Sequence, residues 1–381
     1  MKPMKNLAVV GAGTMGSAIA QHFCMKGLNV LLVDVAPSNL ERGTALIRES
    51  LNEAVNRKII PEEESNRAFD RLRTTTKFSD LSNADLVVEA VFEDLNTKLS
   101  VFKDLEKVVS PECILASNTS SFLISELARE LKHPKRVIGV HYFYHAAKNK
   151  LVEIIPGNET SQEIATRLYD FYYSIGKIPI LVKDAPGFAV NRFFVPWLIE
   201  AARLLEEGYG SISFIDKTAC RIFGVGMGPF ALMNATGVPI AQHAAQGLSD
   251  RLGDFYRPAE ILKKQVASGK PWDLNDITVH KYSTDNETTV KERLLTASLL
   301  IAEKMVQEGV TDAASADLGA RVGLRWPSGP FEMMHSLGMP TEITPRWVES
   351  HVLGKNGFIE FNIPDRMNAL SETVVRDLSG C

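Results

Sequence analysis

Residues 7–16 read LAVVGAGTMG, an apolar run that leads into three glycines spaced as Gly-x-Gly-x-x-Gly. An amphipathic segment follows the glycines, and a second apolar run, VLLV at residues 30–33, ends at Asp34. The order is therefore a buried strand, a glycine-rich turn, a helix, a second strand and a carboxylate 21 residues after Gly13. Glycines alone are weak evidence, but this context predicts a dinucleotide-binding βαβ unit.

Each glycine of this turn has a separate predicted role. We expect Gly11 to make the tight turn, Gly13 to let the backbone approach a pyrophosphate, and Gly16 to let the helix pack closely on the strand. The free N–H groups at the start of the helix, around Thr14 and Met15, then bind the pyrophosphate. A glycine-rich turn that binds nothing is the alternative, and the flanking strands and the acid argue against it.

Asp34 predicts which dinucleotide binds. A carboxylate at the end of the second strand accepts hydrogen bonds from the adenosine ribose 2′-hydroxyl and repels a 2′-phosphate. The next residues are Val35, Ala36 and Pro37, so no arginine follows to bind that phosphate. The sequence therefore favours NAD over NADP.

Composition points to a globular chain that acts on small molecules. With 381 residues, two or three domains are expected. The sequence is 45% hydrophobic and 23% charged, has a formal net charge of -4 and lacks a basic run, so neither nucleic acid nor membrane is an expected partner. Cys24, Cys113, Cys220 and Cys381 share no metal-binding or redox spacing. No signal peptide or membrane span is evident, and we expect a cytoplasmic protein without a metal.

Polar loops follow two further strand-like runs, at residues 84–89 and 113–116. Ligands bind outside the carboxyl ends of the strands in a doubly wound sheet, so these loops are expected to face the cofactor. The first loop carries Glu93 and Lys98, and the second reads SNTSS at residues 117–121. Each hydroxyl taken singly is more typical of a helix cap than of a site. Between the second and third strands, residues 38–71 predict two helices separated at Pro61.

A histidine and a carboxylate follow at the next two strands. The run RVIGV at residues 136–140 leads to His141, and the apolar strand LVEII at residues 151–155 contains Glu153. A buried carboxylate needs a partner, and a histidine held by a carboxylate acts as a general acid/base in a fixed tautomer. Proton removal from a hydroxyl during hydride transfer requires such a group. The alternative is a structural histidine in the core.

Taken together, these motifs resemble the L-3-hydroxyacyl-CoA dehydrogenase family. The resemblance covers residues 5 to about 275 and depends on the glycine turn, the SNTSS loop, the His141 and Glu153 pair, and the segment KDAPGFAVNR at residues 183–192. It implies an acyl-CoA substrate, His141 as the catalytic acid/base and Glu153 as its orienting partner. It also implies roles for four further residues: Ser120 and Asn191 at the reacting oxygen or thioester, and Glu93 and Lys98 near the nicotinamide half of NAD.

Two departures from the family pattern leave alternatives open. The family usually continues its histidine as His-Phe-Phe-Asn-Pro, whereas this chain has Tyr144 and His145 in the last two positions. A later Gly-Pro-Phe-Glu segment ends here in Ala231. The sequence therefore does not define which acyl chain is preferred. Two other functions remain: a related dehydrogenase that acts on a free hydroxy acid, and a non-catalytic dinucleotide-binding protein of the same fold.

The pattern changes to helices alone after Asn191, and the helical part contains an internal repeat. Five landmarks recur at a constant offset of 101 residues, namely Arg192 and Arg293, Gly208 and Gly309, Asp216 and Asp317, the GPF segments at 228–230 and 329–331, and Gly237 and Gly338. We therefore predict an α/β fold, a Rossmann-type doubly wound sheet (residues 1–184) followed by an all-α domain in two copies (185–280 and 281–355).

This repeat has a consequence for assembly. By the resemblance, single-copy relatives dimerise through this domain, so two copies in one chain favour a monomer. The second copy has Glu292 at the position of Asn191 and is expected to be structural.

Residues 356–381 resemble the start of an enoyl-CoA hydratase (crotonase) domain. A strand at residues 358–363, a proline turn and NAL at residues 368–370 carry this resemblance. No catalytic residue of a hydratase can be placed on so short a segment, so no hydratase activity is assigned. We expect a chain fused to or associated with a hydratase domain, and a tail that is dispensable for dehydrogenase activity.

Overall fold

The structure is a computed structural model that describes residues 4–275, 283–339, 349–353 and 356–360. An eight-stranded sheet occupies the first half of the chain. Its strands are β1 (Asn6–Val10), β2 (Asn29–Val33), β3 (Leu72–Thr75), β4 (Leu86–Glu89), β5 (Ile114–Ser117), β6 (Val137–Tyr142), β7 (Leu151–Pro156) and β8 (Ile178–Leu181). Their order is β3-β2-β1-β4-β5-β6-β7-β8; β1 to β6 are parallel, and β7 pairs antiparallel with β6.

Helices pack against the sheet because both faces of the central strands are apolar. The helices of this part are α1 (Thr14–Met25), α2 (Pro37–Asn56), α3 (Glu62–Phe69), α4 (Leu95–Val108), α5 (Ile124–Ala128) and α6 (Gln162–Ser174). Val9 of β1 lies in one core with Phe23 of α1, whereas the adjacent Val10 lies in a second core with Phe102 of α4. Successive strand residues point to opposite faces, so a continuous apolar run is buried on both sides. The predicted Rossmann-type sheet is confirmed.

After β8 the described chain is helical up to residue 339. The helices are α7 (Val190–Glu206), α8 (Ile212–Phe223), α9 (Pro229–Thr236), α10 (Val238–Leu252), α11 (Glu260–Ser268), α12 (Thr284–Gln307), α13 (Ala313–Leu318) and α14 (Pro330–Ser336). Helix α13 begins 101 residues after α8, and α14 begins 101 residues after α9. We call α7 to α9 helical repeat 1 and α12 to α14 helical repeat 2. The predicted helical domain after the sheet is therefore present.

The two helical repeats pack against each other through reciprocal ion pairs. Arg192 of α7 pairs with Glu308 after α12, and Arg293 of α12 pairs with Glu207 after α7. Both the arginines and the glutamates are 101 residues apart, so one contact is repeated in two directions. This is the geometry of an isologous dimer interface, formed here within one chain.

Helical repeat 2 also contacts the sheet. The Lys183 N–H donates to the Val310 carbonyl at 2.8 Å, and the Thr311 hydroxyl donates to the Leu181 carbonyl at 3.0 Å. A Cβ at Gly319 would lie 2.7 Å from Cγ2 of Val190, so a larger residue there would disturb the start of α7. The second repeat thus supports β8 and the first turn of α7.

Asp216 and Asp317 hold the last helix of each repeat in the same way. The Asp216 carboxylate accepts from the N–H groups of Phe230 and Ala231 at 2.8 and 3.0 Å. Asp317 accepts from the N–H groups of Phe331 and Glu332 at 2.7 and 3.3 Å. A carboxylate satisfies orphan donors at the start of a helix, and this explains why the landmark recurs. Ala231, one of the family departures, therefore contributes its backbone to this cap.

The fully buried Asp317 is expected to make stability depend on pH. Burial raises the pKa of its carboxyl to about 7 despite the bonds from Phe331 and Glu332. Because the unfolded value is about 4, the folded state binds the proton more tightly, and the stability it contributes is lost as pH rises from about 4 to about 7. Relative to Asp317→Asn, the native chain should lose on the order of 1–4 kcal/mol of unfolding free energy over this range.

Denaturant unfolding of both proteins at pH 4 to 8 measures this difference. Asp216→Asn is the matched control, because Asp216 occupies the equivalent cap but is less buried. Its difference from the native chain should change less with pH. Parallel pH curves for the native chain and Asp317→Asn would contradict the assignment.

The tail contains two short paired strands in addition to the two main parts. Strands β9 (Glu349–Leu353) and β10 (Asn356–Glu360) pair antiparallel. The sequence predicted a strand at residues 358–363, and the described part of it, residues 358–360, pairs with β9. The proline turn and residues 361–381, on which the resemblance to a hydratase depends, lie outside the described residues.

Candidate active site

The glycine turn between β1 and α1 has little room for side chains at two of its three glycines. Gly11 has φ +106°, and a Cβ there would lie 2.5 Å from the Ala90 carbonyl oxygen. A Cβ at Gly16 would lie 1.8 Å from the Gly11 carbonyl oxygen. At Gly13, by contrast, no heavy atom lies within 4 Å of the Cβ position. The turn is thus closed on its inner side and open where a pyrophosphate would approach.

The first turn of α1 keeps its N–H groups available. Gly13 is the N-cap and provides no side-chain hydrogen bond, and neither Asp nor Glu occurs in the first turn that begins at Thr14 and Met15. Free N–H groups and the positive end of the helix dipole favour an anion at this position. The space in front of Gly13 and these donors together fit a dinucleotide pyrophosphate.

Asp34 lies beside this turn, just after β2. Its Oδ2 accepts from the Ala12 N–H at 2.9 Å, and its Oδ1 accepts from the Asn39 amide at 2.9 Å and the Ala36 N–H at 3.2 Å. Burial raises the pKa of this carboxyl, but the hydrogen bonds, led by that of Ala12, outweigh burial and hold the pKa below its ordinary value. Asp34 is therefore an ionised, oriented acceptor. Sequence reasoning did not identify Asn39, although Asn five residues after such an acid, in the first turn of α2, is a visible signal.

Glu93 and Lys98 are brought together after β4. The Lys98 ammonium lies 3.1 Å from Oε2 of Glu93 and 2.7 Å from Oε1 of Glu89, and Lys98 is only 1% exposed. Sequence reasoning placed Glu89 at the end of a strand without assigning it a role. The structure shows that Glu89 is the partner of Lys98, since an ammonium buried in the core requires a carboxylate.

The loop after β5 is attached to the same carboxylates. Oε1 of Glu93 accepts from the Thr119 hydroxyl at 2.6 Å and from the N–H groups of Ser120 and Ser121 at 2.9 and 3.0 Å. Burial raises the pKa of Glu93, but Lys98 and these donors hold it below its ordinary value. Ser120 is exposed, and its hydroxyl lies 3.4 Å from that of Ser121. Its side chain is thus available to a ligand.

His141 and Glu153 form the most closely coupled pair of the predicted site. They are opposite each other in the antiparallel register of β6 and β7, and His141 Nδ1 lies 2.6 Å from Oε2 of Glu153. Glu153 is fully buried, and its Oε1 accepts from the N–H groups of Ala189 and Val190 at 3.1 and 2.9 Å. The start of α7 therefore fixes the carboxylate that fixes the histidine. Because Nδ1 is occupied, Nε2 is the nitrogen left for a substrate.

Aromatic rings surround the histidine. The ring centroids of His141 and Phe143 are 4.7 Å apart, and those of His141 and Phe188 are 5.6 Å apart. Phe188 has φ +49°, a conformation that is uncommon outside glycine and costs about 1 kcal/mol or more. Such residues persist where the surroundings hold them, and this one lies beside His141. Neither ring was identified from the sequence.

Asn191 lies next to a residue that holds this pair, and the Tyr144 and His145 departures lie in the loop after β6. Asn191 is half-buried in the first turn of α7 and directly follows Val190, which binds Glu153. Tyr144 is 62% exposed, and its carbonyl accepts from the Asn149 amide at 3.3 Å. The Lys148 ammonium, in the same loop, lies 3.5 Å from Oε2 of Glu53 on α2. The loop that differs from the family is therefore attached to the long helix α2.

The described residues contain neither a metal-binding cluster nor a membrane-spanning helix. No group of three or more His, Cys, Asp or Glu side chains in those ranges is arranged to hold a metal ion. None of the helices in the same ranges combines the length and apolarity needed to cross a membrane.

Comparison with known proteins gives consistent matches along most of the chain. The family model for the NAD binding domain of 3-hydroxyacyl-CoA dehydrogenase matches residues 6–185, and the model for the C-terminal domain matches residues 187–282. The fatty acid oxidation complex subunit alpha of Shewanella loihica is 31% identical over 364 residues, which cover 88% of this chain and 51% of the relative. The chain thus spans about half the length of the curated relatives it matches.

The solved structures that match this chain include two named as 3-hydroxybutyryl-CoA dehydrogenases. The crystal structure of 3-hydroxybutyryl-CoA dehydrogenase from Escherichia coli K12 has a TM-score of 0.80 and 25% identity, covering 88% of this chain and 92% of its own. That of (S)-3-hydroxybutyryl-CoA dehydrogenase from Ralstonia eutropha has a TM-score of 0.68 and 33% identity, covering 74% of this chain and 100% of its own.

Proposed function

Because this chain belongs to the 3-hydroxyacyl-CoA dehydrogenase family, we propose that it oxidises L-3-hydroxyacyl-CoA to 3-oxoacyl-CoA, reversibly, as in fatty acid β-oxidation. Its cofactor is NAD. The observation that carries the proposal is the His141 and Glu153 pair, with Nδ1 and Oε2 2.6 Å apart at the end of β6. A buried carboxylate with two backbone donors cannot turn away, so the imidazole presents Nε2 in one orientation.

Each proposed site residue has a separate role in the reaction. NAD, when bound, would supply the acceptor for the hydride that leaves C3 of the substrate. His141 Nε2 takes the hydroxyl proton as that hydride leaves, and Glu153 stabilises the imidazolium that results. Ser120 and Asn191 are proposed to contact the reacting oxygen or the thioester. In the reverse direction His141 returns the proton to the carbonyl oxygen.

The cofactor contacts follow from the glycine turn and Asp34. The open space at Gly13, the uncapped start of α1 at Thr14 and Met15, and the ionised Asp34 fit the adenosine half of NAD. Glu93 and Lys98 are proposed to lie at the nicotinamide half, since they follow β4 on the other side of β1 from Asp34.

A turnover assay with NADH tests this function and its alternatives. The purified chain should oxidise NADH when acetoacetyl-CoA is added and should do so far less with free acetoacetate. Turnover with acetoacetate alone would favour a dehydrogenase of free hydroxy acids. NADH binding without turnover of either compound would favour a non-catalytic protein.

The partner and location proposals depend on the relatives and on the cysteines. The names of the curated relatives support association with other β-oxidation activities, and we propose an enoyl-CoA hydratase domain as the partner. Burial raises the pKa of the Cys24 and Cys113 thiols to about 12, so both are inert. Such free thiols support a cytoplasmic location.

The chain itself is expected to be a monomer. The two helical repeats contact each other through reciprocal ion pairs, Arg192 with Glu308 and Arg293 with Glu207. We propose that this contact buries within one chain the helix faces that single-copy relatives bury between subunits. Sedimentation equilibrium should give a mass near 42.0 kDa. A species of twice that mass that persists on dilution would contradict the proposal.

A further inference from the structure

The strand order indicates where the nicotinamide half of NAD would bind, over β4 and β5. A dinucleotide lies across the carboxyl edge of the sheet on both sides of the switch point. Asp34, the adenosine side, follows β2, whereas β4, β5 and β6 lie on the other side of β1. His141 is on β6, so the ring that receives the hydride must lie between the glycine turn and that histidine. This placement depends on the proposed function.

Three charged side chains, Glu89, Lys98 and Glu93, lie at that edge, and the first two are removed from water. Glu89 is the last residue of β4 and 0% exposed, and Lys98 is 1% exposed. Each oxygen of Glu89 accepts a hydrogen bond: Oε1 from the Lys98 ammonium at 2.7 Å and the Val91 N–H at 2.8 Å, and Oε2 from the Ser117 hydroxyl at 2.5 Å. The Lys98 ammonium and the Val91 N–H can only donate, and the Ser117 hydroxyl can donate, so all three bonds suit a carboxylate at Glu89, the partner that the buried ammonium requires.

Glu93 adds a second negative charge to the network. Its side chain is 24% exposed, and it shares the single ammonium of Lys98 with Glu89. Two carboxylates against one ammonium leave one uncompensated negative charge. The serine and threonine hydroxyls and backbone N–H groups around it are neutral, so they distribute this charge without cancelling it.

We propose that the Glu89, Lys98 and Glu93 network makes the site discriminate between the two redox states of the cofactor, with Glu89 as a positioning residue that sets its charge. The nicotinamide ring is positively charged in NAD+ and neutral in NADH. A fixed negative charge in a water-poor site attracts the first and has no net charge to attract in the second. The affinity for NAD+ relative to NADH therefore depends on the charge of the network.

Removal of one charge tests the proposal. Glu89→Gln keeps the shape and an acceptor for Lys98 but brings the network to neutrality. The ratio of the dissociation constants of NAD+ and NADH should rise roughly tenfold, the order expected when one unit of charge is removed near the ring at an effective dielectric constant of about 20. Isothermal titration calorimetry with each nucleotide measures this ratio without turnover. If Glu89 had a purely structural role, its replacement would weaken the binding of both nucleotides and leave the ratio of their dissociation constants unchanged.

Two further variants separate charge from structure. The double variant Glu89→Gln with Lys98→Gln restores one net negative charge, so its ratio should return toward that of the native chain. If Glu89→Gln does not fold, Glu93→Gln removes a charge from the more exposed end of the network and should raise the ratio in the same direction.

Glu106→Gln is the matched control. Glu106 is on the last turn of α4 and accepts from the N–H groups of Lys132 and His133, which precede β6, so it lies apart from the loops that follow the strands. Its replacement should leave the ratio unchanged. An unchanged ratio in Glu89→Gln with both nucleotides bound would overturn this inference alone. Failure of the native chain to bind either nucleotide would instead overturn the proposed function.

Discussion

Replacing His141 by glutamine is expected to lower turnover of hydroxyacyl-CoA by roughly two to four orders of magnitude, the usual contribution of a positioned acid/base. Glutamine keeps a polar side chain of similar length but cannot accept the hydroxyl proton. Its rate with saturating NAD and hydroxybutyryl-CoA should fall, while the affinity for NAD stays nearly unchanged, because the proposed adenosine contacts lie on the far side of β1 from His141. Steady-state kinetics and NAD titration measure the two effects separately.

Glu153→Gln should reduce turnover in the same direction through a different step. The amide can still accept from the N–H groups of Ala189 and Val190, so the fold should be retained, but it carries no charge to stabilise the imidazolium. His133→Gln, at an exposed histidine remote from the site, is the matched control and should leave turnover unchanged. Normal turnover in His141→Gln would exclude the proposed mechanism.

The sequence predicted the central strands of the sheet but not its edges, for physical reasons. The central strands are continuous apolar runs because both of their faces are buried. The two strands that went unpredicted, β3 and β8, are the edge strands. In β3, Arg73 and Thr74 are exposed, and β8 contains Pro179, which is compatible only with a strand whose N–H side is free.

Pairs of site residues could be predicted where a short segment joins them, and the supporting contacts could not. His141 and Glu153 are twelve residues apart, so one hairpin-like turn suffices to bring them into register. The donors that hold Glu153, at Ala189 and Val190, come from a helix start 36 and 37 residues further along. Only the packing of α7 against the sheet creates that contact, and no local pattern encodes it.

The repeat shows what an internal comparison of the sequence can predict. The landmarks at an offset of 101 residues occupy equivalent positions in both copies, as Asp216 and Asp317 do at their helix starts. The same offset relates Glu207 to Glu308, a pair that the sequence analysis did not include. Arg192 and Arg293 bind these glutamates crosswise, and the crossing is a property of the packing rather than of either copy.

The cofactor preference should change when the charge at Asp34 and Val35, the proposed ribose contact, is reversed. Asp34 is ionised and held by Ala12 and Asn39, and the neighbouring Val35 is 84% exposed, so a side chain at Val35 can reach a 2′-phosphate. Asp34→Ser with Val35→Arg removes the repulsion and adds a charge-assisted bond, worth about 1.5–3 kcal/mol. We expect the ratio of NADPH to NADH affinity to rise roughly a hundredfold.

The single variants show how much of the change in nucleotide preference comes from each substitution. Val35→Arg alone retains the carboxylate, so its gain for NADPH should be small, because the new arginine can pair with Asp34 instead of the phosphate. Asp34→Ser alone should lower NADH affinity, since serine loses the charge-assisted bond to the ribose and leaves the Ala12 N–H without its acceptor. Fluorescence titration with both reduced nucleotides gives all four ratios. A native chain that already binds NADPH as tightly as NADH would show that Asp34 does not face the ribose.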